Sequence, residues 1–495
     1  MKENGIMMQY FEWHLEADGK HWERLKADAE HLSKIGVTGV WIPPCFKATG
    51  INDVGYGIYD LYDLGEFDQK DAIRTKYGTK KELKAAVDEL HKYDIQVYAD
   101  IVLNHKAGAD ETERFMASEV NPDDRNQTIS EPYEIEGWTK FTFPGRKGTY
   151  SDFQWSWVHF SGIDYNQENG KKAIYRIEGE NKGWANDDKV NNEYGNYDYL
   201  MYADIDYAHP EVIEETKKWA KWFIEETGID GFRLDAVKHI NENFIYDLVK
   251  TIRNEFGEQF FVVGEYWDSA YESVEGYLED QDFNLALVDV GLHTNLEQAS
   301  KSGNEYDLCQ LFDATLMKKN SSYSVTFVDN HDSQPGQSLE SFVESWFKPL
   351  AYGVILLRAE GYPCLFYGDY YGIQGENPIA PQQEMIDKLL YIRTHHAYGE
   401  QVDYFDHPNC IGWTRLGNEQ HPYGCAVVLS NGEAGYKEMQ MGKQHAGETF
   451  ADYTGNHEEK VVIDENGNGH FLVQAGSISV WAKEGVKPEE AAEEK

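Results

Sequence analysis

The sequence predicts an α/β protein built on a (β/α)8 TIM barrel, with an irregular β-rich domain inserted after the third strand and an antiparallel β-sandwich at the carboxyl end. Short apolar runs alternate with amphipathic segments along most of the chain, as in parallel βαβ units. One long stretch rich in Gly, Asn, Asp and Trp interrupts this alternation. Short alternating strands replace it towards the carboxyl end.

Eight apolar runs are candidates for the barrel strands, and this number matches the barrel. They are Ile6–Phe11, Val37–Pro43, Gln96–Leu103, Gly231–Ala236, Phe260–Glu265, Leu285–Val290, Ser324–Asp329 and Cys364–Tyr367. Because the strands of such a barrel are parallel, their carboxyl ends gather on one face, where active sites lie.

Amphipathic helices are predicted between these strands. Apolar residues recur at helical spacing over Trp22–Ile35. Thr79 and Glu82 form a capping-box pattern at the start of a second helix. Pro210 suits the first turn of a third helix, and Gly228 supplies its stop.

The breaks in the pattern predict the domain boundaries. The barrel takes residues 1–103 and 208–396, and the intervening residues 104–207 form the inserted domain because they are too many for a plain loop. Residues 397–484 form the sandwich, with strand candidates at Cys410–Arg415, Cys425–Leu429, Glu459–Ile463 and Ser477–Ala482. Residues 485–495 are a charged tail.

The charge balance excludes some classes of partner. The 87 acidic and 45 basic side chains give a formal net charge of −42, which repels phosphate backbones. We therefore expect no nucleic-acid or membrane partner and a neutral substrate. A monomer is also expected. Acidic side chains are also ligands for hard cations, so calcium remains open.

The expected location is the cytoplasm. The apolar run at Ile6–Phe11 is too short for the core of a signal peptide. No window of the sequence approaches a membrane span. The five cysteines are odd in number and lack metal-like spacing, so free thiols in a reducing compartment are expected.

The fourth strand candidate carries Arg233 and Asp235. Because side chains alternate along a strand, both point to the same face. A carboxylate beside an arginine stays ionised at neutral pH, as a nucleophile must. A buried ion pair at the barrel mouth explains the segment equally well, and taken alone it leaves the two interpretations even.

Three other strand candidates end in similar residues. Glu265 follows a strongly apolar strand, whose walls would raise its pKa and suit a general acid. A solvated glutamate explains that residue better when it is considered alone. The seventh strand candidate leads to His331 and Asp332, and the third contains Asp100, with Asn104 and His105 at its exit. Turn chemistry would account for either pattern separately.

Four strands with such endings on one face make coincidence a poor explanation. The sequence therefore predicts a carboxylate-rich catalytic pocket. The segments that carry it are Asp100–His105, Gly231–His239, Glu265 and Asn330–Asp332.

In order and spacing these segments resemble the four signature regions of the α-amylase family, glycoside hydrolase family 13. The resemblance runs from residue 6 to about 484 and is strongest to bacterial liquefying and cytoplasmic members. Supporting stretches are Val54–Gly57, Glu66–Lys70, Gly195–Met201 and Phe405–Cys410.

The resemblance implies a role for each matching residue. Asp235 would be the nucleophile, Glu265 the acid/base, and Asp332 the third carboxylate, which grips sugar hydroxyls. The substrate-binding residues would be Tyr56, Asp100, His105, Arg233, Lys238, His239, Trp267 and His331. In retaining glycosidases the two catalytic carboxyls lie about 5–5.5 Å apart, and one forms a covalent intermediate that water hydrolyses.

The resemblance also implies one structural Ca²⁺ between the barrel and the inserted domain. Its ligands would be Asn104, Asp198, Asp204 and the carbonyl of His239, an all-oxygen set. Ordinary surface carboxylates remain the plain explanation for Asp198 and Asp204. Liquefying relatives carry a second calcium–sodium–calcium cluster. Asp187 and Asp206 match two of its ligands, but Ser161 and Ala208 stand where two others would be, so we expect a single calcium site.

The predicted activity is endo-acting hydrolysis of α-1,4-glucosidic bonds in starch, glycogen or maltodextrins. A transglycosylating or α-1,6-acting member of the same family is the alternative, although Met201–Tyr207 resembles the amylase form. A non-catalytic carbohydrate-binding relative is the third hypothesis. Such chains lose catalytic carboxylates, whereas all three are present here.

Overall fold

A closed barrel of parallel strands organises residues 3–485, the part of the chain that the computed structural model describes. Its eight strands are Met7–Gln9, Gly39–Ile42, Gln96–Ile101, Gly231–Leu234, Phe261–Gly264, Ala286–Val288, Ser324–Phe327 and Tyr362–Phe366. Each pairs with the next in chain order, and the eighth pairs with the first. The prediction of the barrel is confirmed, although the eighth strand begins at Tyr362 rather than Cys364.

The helices alternate with these strands and cover the barrel. The α-helices are His21–Lys34, Lys80–Lys92, Pro210–Thr227, Glu242–Phe256, Tyr271–Asp280, Val290–Ser302, Leu316–Lys319, Lys348–Leu357, Tyr367–Tyr371 and Gln383–His395. Short 3-10 helices lie at Trp157–His159, Glu193–Gly195, Val237–His239, Gly303–Glu305, Leu308–Gln310, Ser321–Tyr323 and Lys443–His445. The predicted capping box is present: the Thr79 hydroxyl accepts from the Glu82 N–H, and the Glu82 carboxylate accepts from the Thr79 N–H at 2.7 Å.

The chain leaves the barrel after the third strand and builds a separate antiparallel sheet. Its strands are His105–Lys106, Glu111–Asn121, Asp124–Thr128, Tyr133–Lys140, Phe160–Asn166, Lys171–Ile177 and Ala203–Ile205. This insertion is more regular than the sequence predicts, because its long strand Glu111–Asn121 pairs with Tyr133–Lys140 over Glu111–Ala117 and with two further strands beyond that segment. A short pair, Lys47–Ala48 with Ile58–Asp60, lies in the loop after the second barrel strand.

Two antiparallel sheets form the carboxyl-terminal part. The larger contains Gln401–Tyr404, Cys410–Arg415, Cys425–Ser430, Thr449–Asp452, Val461–Val462 and Ser477–Lys483, and the smaller pairs Gly435–Gln440 with Asn468–Val473. Phe450, Phe471 and Trp481 belong to the apolar core of this part. The helix Lys348–Leu357 packs on the last strand at Gly353, where a Cβ would overlap Ile478.

Three predictions concern features of the whole chain. Apart from Gly485, the predicted charged tail at 485–495 lies outside the described residues. Within residues 3–485, no helix is both long enough and apolar enough to cross a bilayer. All five cysteines are free thiols, and four of them are buried.

Candidate active site

Four acidic side chains lie at the carboxyl end of the barrel. Asp100 belongs to the third strand, Asp235 and Glu265 directly follow the fourth and fifth strands, and Asp332 lies in the loop after the seventh. Asp100, Asp235 and Glu265 are buried, whereas the Asp332 side chain is 21% exposed. The fold thus brings together the acidic residues that the sequence singles out.

Arg233 holds three of these carboxylates. It stands opposite Asp100 in the register of the third and fourth strands. Its Nη1 atom lies 2.8 Å from Asp100 Oδ1 and 2.6 Å from Asp235 Oδ1. Its Nη2 atom lies 2.8 Å from Glu265 Oε1, an ion-pair contact without hydrogen-bond alignment. One buried guanidinium therefore keeps Asp235 and Glu265 on the same side of the site.

The turn after the fourth strand fixes the other oxygen of Glu265. The Ala236 N–H donates to Glu265 Oε2 at 3.0 Å, and Ala236 adopts a left-handed conformation with φ 49°. The Glu265 N–H donates to the Leu234 carbonyl at 2.9 Å, and the Val237 N–H donates to the Glu265 carbonyl at 3.0 Å. These bonds tie the ends of the two strands together and leave Glu265 little freedom.

Burial and charge set the protonation of the two central carboxyls. Burial raises the pKa of Asp235 to about 6, while Arg233 opposes the rise. Burial also raises the pKa of Glu265, with Arg233 again opposing and the negative charge of Asp235 adding to the rise. At neutral pH Asp235 is therefore mainly ionised, and its charge favours a proton on Glu265.

His331 presents a neutral ring beside Asp332. Burial holds the pKa of His331 well below its usual value. The Gln9 amide lies 3.0 Å from Nδ1, which makes that nitrogen the acceptor and leaves the proton on Nε2. His331 Nε2 lies 3.2 Å from Asp332 Oδ2 but has no aligned hydrogen-bond partner among the described residues. The Nε2 proton is thus an unpaired donor that lies beside Asp332, beneath the lining of the cleft.

Three nearly parallel rings, those of Trp13, Tyr56 and His331, form one wall. Their centroids lie at the corners of a triangle, with 6.0 Å between Trp13 and Tyr56, 5.1 Å between Tyr56 and His331 and 6.2 Å between Trp13 and His331, and their planes differ by at most 6°. The Tyr56 hydroxyl donates to Asp100 Oδ2 at 2.9 Å, and the Trp41 indole N–H donates to the same oxygen at 3.0 Å. Asp100 therefore holds Tyr56 in place in addition to forming an ion pair with Arg233.

The other predicted substrate contacts surround this centre. The Lys238 ammonium donates to the Trp267 carbonyl at 3.1 Å. A ring nitrogen of His105 lies 2.9 Å from the Tyr56 carbonyl, and burial lowers the pKa of His105 to about 4. Burial likewise lowers the pKa of His239 to about 3. Both imidazoles are neutral at neutral pH.

All these groups open into, or lie directly beneath, one cleft of about 740 Å³. Eight predicted site residues line it: Tyr56, His105, Asp235, Lys238, His239, Glu265, Trp267 and Asp332. The buried Asp100, Arg233 and His331 support that lining from below. The volume suits several sugar rings rather than a small metabolite.

Sequence reasoning missed several residues of the lining. Trp13, Tyr197, Met201, Tyr202 and Leu339 all line the cleft. Trp13 follows the end of the first strand, so the rule that found the acidic residues could also have found it. Leu339 lies in a loop with no periodic pattern, and no sequence signal marks it.

The predicted calcium ligands converge at the junction with the inserted domain. Asp204 pairs with His105 in the inserted sheet, which brings it beside Asn104; the Asn104 amide lies 3.4 Å from Asp204 Oδ1. His239 contacts the Tyr197 carbonyl at 2.8 Å, directly before Asp198 in the chain. The four predicted ligands therefore come from neighbouring segments.

The two carboxylates of this set suit a hard cation. Asp198 and Asp204 are buried, and in the described part of the chain neither forms an ion pair with a basic side chain. Burial raises the pKa of Asp198 to about 7, and burial with the charge of Asp198 holds the pKa of Asp204 well above its usual range. Two buried carboxylates without an ion-paired basic side chain are stabilised by protons or by a metal ion.

Among the described residues, one group of side chains apart from the predicted calcium ligands lies close enough to share a metal ion, namely His159, His209 and Glu211. The Ser156 N–H donates to His159 Nδ1 at 3.0 Å, so the ring proton is on Nε2, which lies 3.6 Å from the Glu211 carboxylate. A protonated nitrogen cannot bind a metal ion. This group is therefore better explained as packing between the inserted domain and a barrel helix.

Comparisons with known proteins agree with this geometry. A family model described as "Alpha amylase, catalytic domain" matches residues 26–402, and one described as "Alpha-amylase C-terminal" matches residues 425–482. The chain is 51% identical to a glucan 1,4-alpha-maltohexaosidase of Bacillus sp. (strain 707), over 97% of this chain and 92% of that protein. It is 44% identical to a cytoplasmic alpha-amylase of Escherichia coli (strain K12), over 98% of this chain and 99% of that protein. Among solved structures, an alpha-amylase from Geobacillus thermoleovorans complexed with acarbose is similar in fold, with a TM-score of 0.64 and 19% identity over 98% and 99% of the two chains.

Proposed function

Because this chain belongs to the α-amylase family, glycoside hydrolase family 13, we propose that Asp235, Glu265 and Asp332 are its catalytic residues. The chain is an enzyme that hydrolyses α-1,4-glucosidic bonds within α-glucans. The assignment of roles rests on one observation. Arg233 contacts both the ionised carboxylate of Asp235 and the protonatable carboxyl of Glu265 at the cleft.

The reaction proceeds in two displacements. In the first, an Asp235 oxygen forms a bond to the anomeric carbon while the bond to the leaving oxygen breaks, and Glu265 gives its proton to that oxygen. In the second, Glu265 takes a proton from water, the water oxygen bonds to the anomeric carbon, and Asp235 leaves as a carboxylate. The anomeric configuration is therefore retained.

The surrounding residues support both steps. Arg233 favours the ionised form of Asp235, and burial raises the pKa of Glu265 and keeps its proton available. Asp332 and His331 are paired acceptor and donor groups for the hydroxyls of the sugar being cleaved. The Tyr56 ring offers a face for that sugar, while Lys238 and His239 lie on the leaving-group side.

Product analysis distinguishes this function from its alternative. With soluble starch we expect a rapid fall in viscosity and iodine staining before much reducing sugar appears, because internal bonds are cut. Isomaltose should remain intact, and pullulan should resist cleavage at its α-1,6 bonds. Release of maltotriose from pullulan, or net formation of longer glucans from a maltooligosaccharide, would favour an α-1,6-acting or transglycosylating enzyme instead.

We also propose that Asn104, Asp198, Asp204 and the His239 carbonyl hold one structural Ca²⁺. Bound there, the ion would supply the positive charge that the two buried carboxylates lack. A second cluster has less support. Asp206 Oδ2 already accepts from the buried Lys182 ammonium at 2.6 Å.

The other positions of the second cluster argue the same way. Asp187 is exposed, and its carboxylate accepts from the amides of Asn126 and Asn196. The Ser161 hydroxyl donates to Asp204 and brings no charge of its own. A single ion is therefore the better proposal.

Calcium should raise the melting temperature of the parent chain but not that of Asp204→Asn, which loses one anionic ligand. Ligand at about 100 times its dissociation constant adds about 2.7 kcal/mol to the stability of the folded state. Metal analysis after gel filtration should find one Ca²⁺ per parent chain and none in the variant. Asp187→Asn is the matched control and should keep its ion. An unchanged melting temperature after verified metal removal would contradict the site.

We propose that the protein is located in the cytoplasm and acts as a monomer. Five free thiols suit a reducing compartment, and the Escherichia coli relative is named a cytoplasmic enzyme. The three proposed catalytic residues line one cleft of this chain.

A further inference from the structure

The loop that carries His331 and Asp332 is shaped by Asn330. The Asn330 side-chain oxygen accepts from the N–H groups of Asp332 at 2.9 Å and Ser333 at 2.8 Å. This local turn fixes the backbone of the third catalytic carboxylate. The direction of the Asp332 side chain therefore depends on what holds Asn330 and Ser333.

Ser333 connects this turn to a buried carboxylate. Its hydroxyl donates to Asp329 Oδ1 at 2.7 Å and accepts from the Asn330 N–H at 2.9 Å. Asp329 is 1% exposed and Ser333 is fully buried, so water cannot replace either bond. The Ser333 hydroxyl thus links the Asp329 carboxylate to the turn that carries Asp332.

Lys348 supplies the positive charge that Asp329 requires. It is the first residue of the helix Lys348–Leu357, and its ammonium donates to Asp329 Oδ2 at 2.8 Å. The same ammonium contacts Asp369, which follows the eighth strand and also accepts from the Tyr352 hydroxyl at 2.7 Å. A buried lysine therefore joins the ends of the seventh and eighth strands directly behind the Asp332 loop.

Stability alone is a weak explanation for this arrangement, because apolar residues of similar volume often replace buried ion pairs without loss. The bonds lead from Lys348 through Asp329 and Ser333 to Asn330, and from there to the Asp332 backbone. Lys348 and Asp329 are absent from the lining of the cleft and cannot touch the substrate. Asp329 Oδ2 also accepts from the Val343 N–H at 3.2 Å, but only the bonds through Ser333 and Asn330 lead to the Asp332 backbone among the described residues.

We infer that Lys348 and Asp329 are positioning residues that set the placement of Asp332 in the transition state. The inference rests on the proposed role of Asp332. It predicts that breaking the path lowers kcat more than it changes KM, because the lost interaction belongs to the transition state. Misplacement by about 1 Å can lower a rate by about 10²-fold.

Two variants interrupt the path at different points. Ser333→Ala removes one hydroxyl from its middle, and Lys348→Met removes the charge at its start with little change in length. For each we expect kcat on a defined maltooligosaccharide to fall by about 10- to 100-fold while KM stays within about 3-fold. Ser333→Thr keeps the hydroxyl and should restore most of kcat.

Asp369→Asn is the matched control. Asp369 is buried and contacts the same ammonium, but in the described residues it has no hydrogen bond to the Asp332 loop. It should lower the melting temperature yet keep kcat within about 3-fold of the parent. If Asp369→Asn lowers kcat as much as Ser333→Ala, or if Ser333→Ala keeps the parent kcat, the positioning role is overturned.

Asp332→Asn separates this inference from the proposed function. If Asp332→Asn retains the turnover of the parent, the proposed role of Asp332 itself is refuted. Loss of turnover in Asp332→Asn together with full turnover in Ser333→Ala and Lys348→Met would refute the positioning role alone. Loss of turnover in all three variants, together with nearly parental turnover in Ser333→Thr, supports both the proposed role of Asp332 and the positioning role.

Discussion

Replacing Asp235 by Asn should lower turnover of soluble starch by on the order of 10⁴-fold or more, with the fold intact. The amide is nearly isosteric, so the cleft keeps its shape, but it is a poor nucleophile and cannot form the covalent intermediate. The variant should bind maltooligosaccharides with nearly the affinity of the parent. Calorimetric titration and a turnover assay on the same preparation measure both quantities.

Asp230→Asn is the matched control, because Asp230 precedes the same barrel strand at its opposite end. It contacts the Val97 N–H and His91 rather than the cleft. Its removal should leave turnover unchanged. In the parent, a slow glycosyl fluoride should label Asp235 covalently; a label on another carboxylate would refute the assignment of the nucleophile.

Replacing Glu265 by Gln should lower turnover of starch by about 10²- to 10⁴-fold, because the leaving oxygen loses its proton donor. With a maltosyl fluoride, the rate of the first displacement should fall far less, because fluoride leaves without protonation. Glu258→Gln, an exposed position ahead of the same strand, is the control and should behave as the parent does. Equal losses in the rate of the first step on both substrates would contradict the role of general acid.

The pH profile of the same variant supplies an independent check. In the parent, kcat/KM should rise on the acid side as Asp235 ionises with a pKa of about 6. It should fall on the alkaline side as Glu265 loses its proton. Glu265→Gln measured on the fluoride should keep the acid limb and lose the alkaline one.

The barrel and the centre of the site were open to prediction from the sequence because strong local signals coincide there. Buried parallel strands are continuously apolar, and a single Asp or Glu at the end of such a strand stands out. The capping box at Thr79 and the stop at Gly228 act through their immediate neighbours, so the helix bounds followed as well. The roles given to individual residues stay predictions until the variants are measured.

The missed features depend on contacts between distant segments. The inserted sheet includes pairs of strands that lie far apart in the chain, such as Phe160–Asn166 with Ala203–Ile205, and no local pattern marks such a pairing. Trp13 gains its place by stacking on Tyr56 and His331, far away in the chain. Lys348 looks like an ordinary helix-start lysine in the sequence, and only the fold places it between Asp329 and Asp369.

The three imidazoles around the cleft lead to one more expectation. The pKa is about 4 for His105 and about 3 for His239, and the pKa of His331 lies well below its usual value. None of the three rings therefore gains a proton between pH 5 and 8. Their contacts with sugar hydroxyls should therefore be insensitive to acidity across this interval. Any change of carbohydrate affinity over this interval should therefore come from the carboxyl groups of the site rather than from these rings.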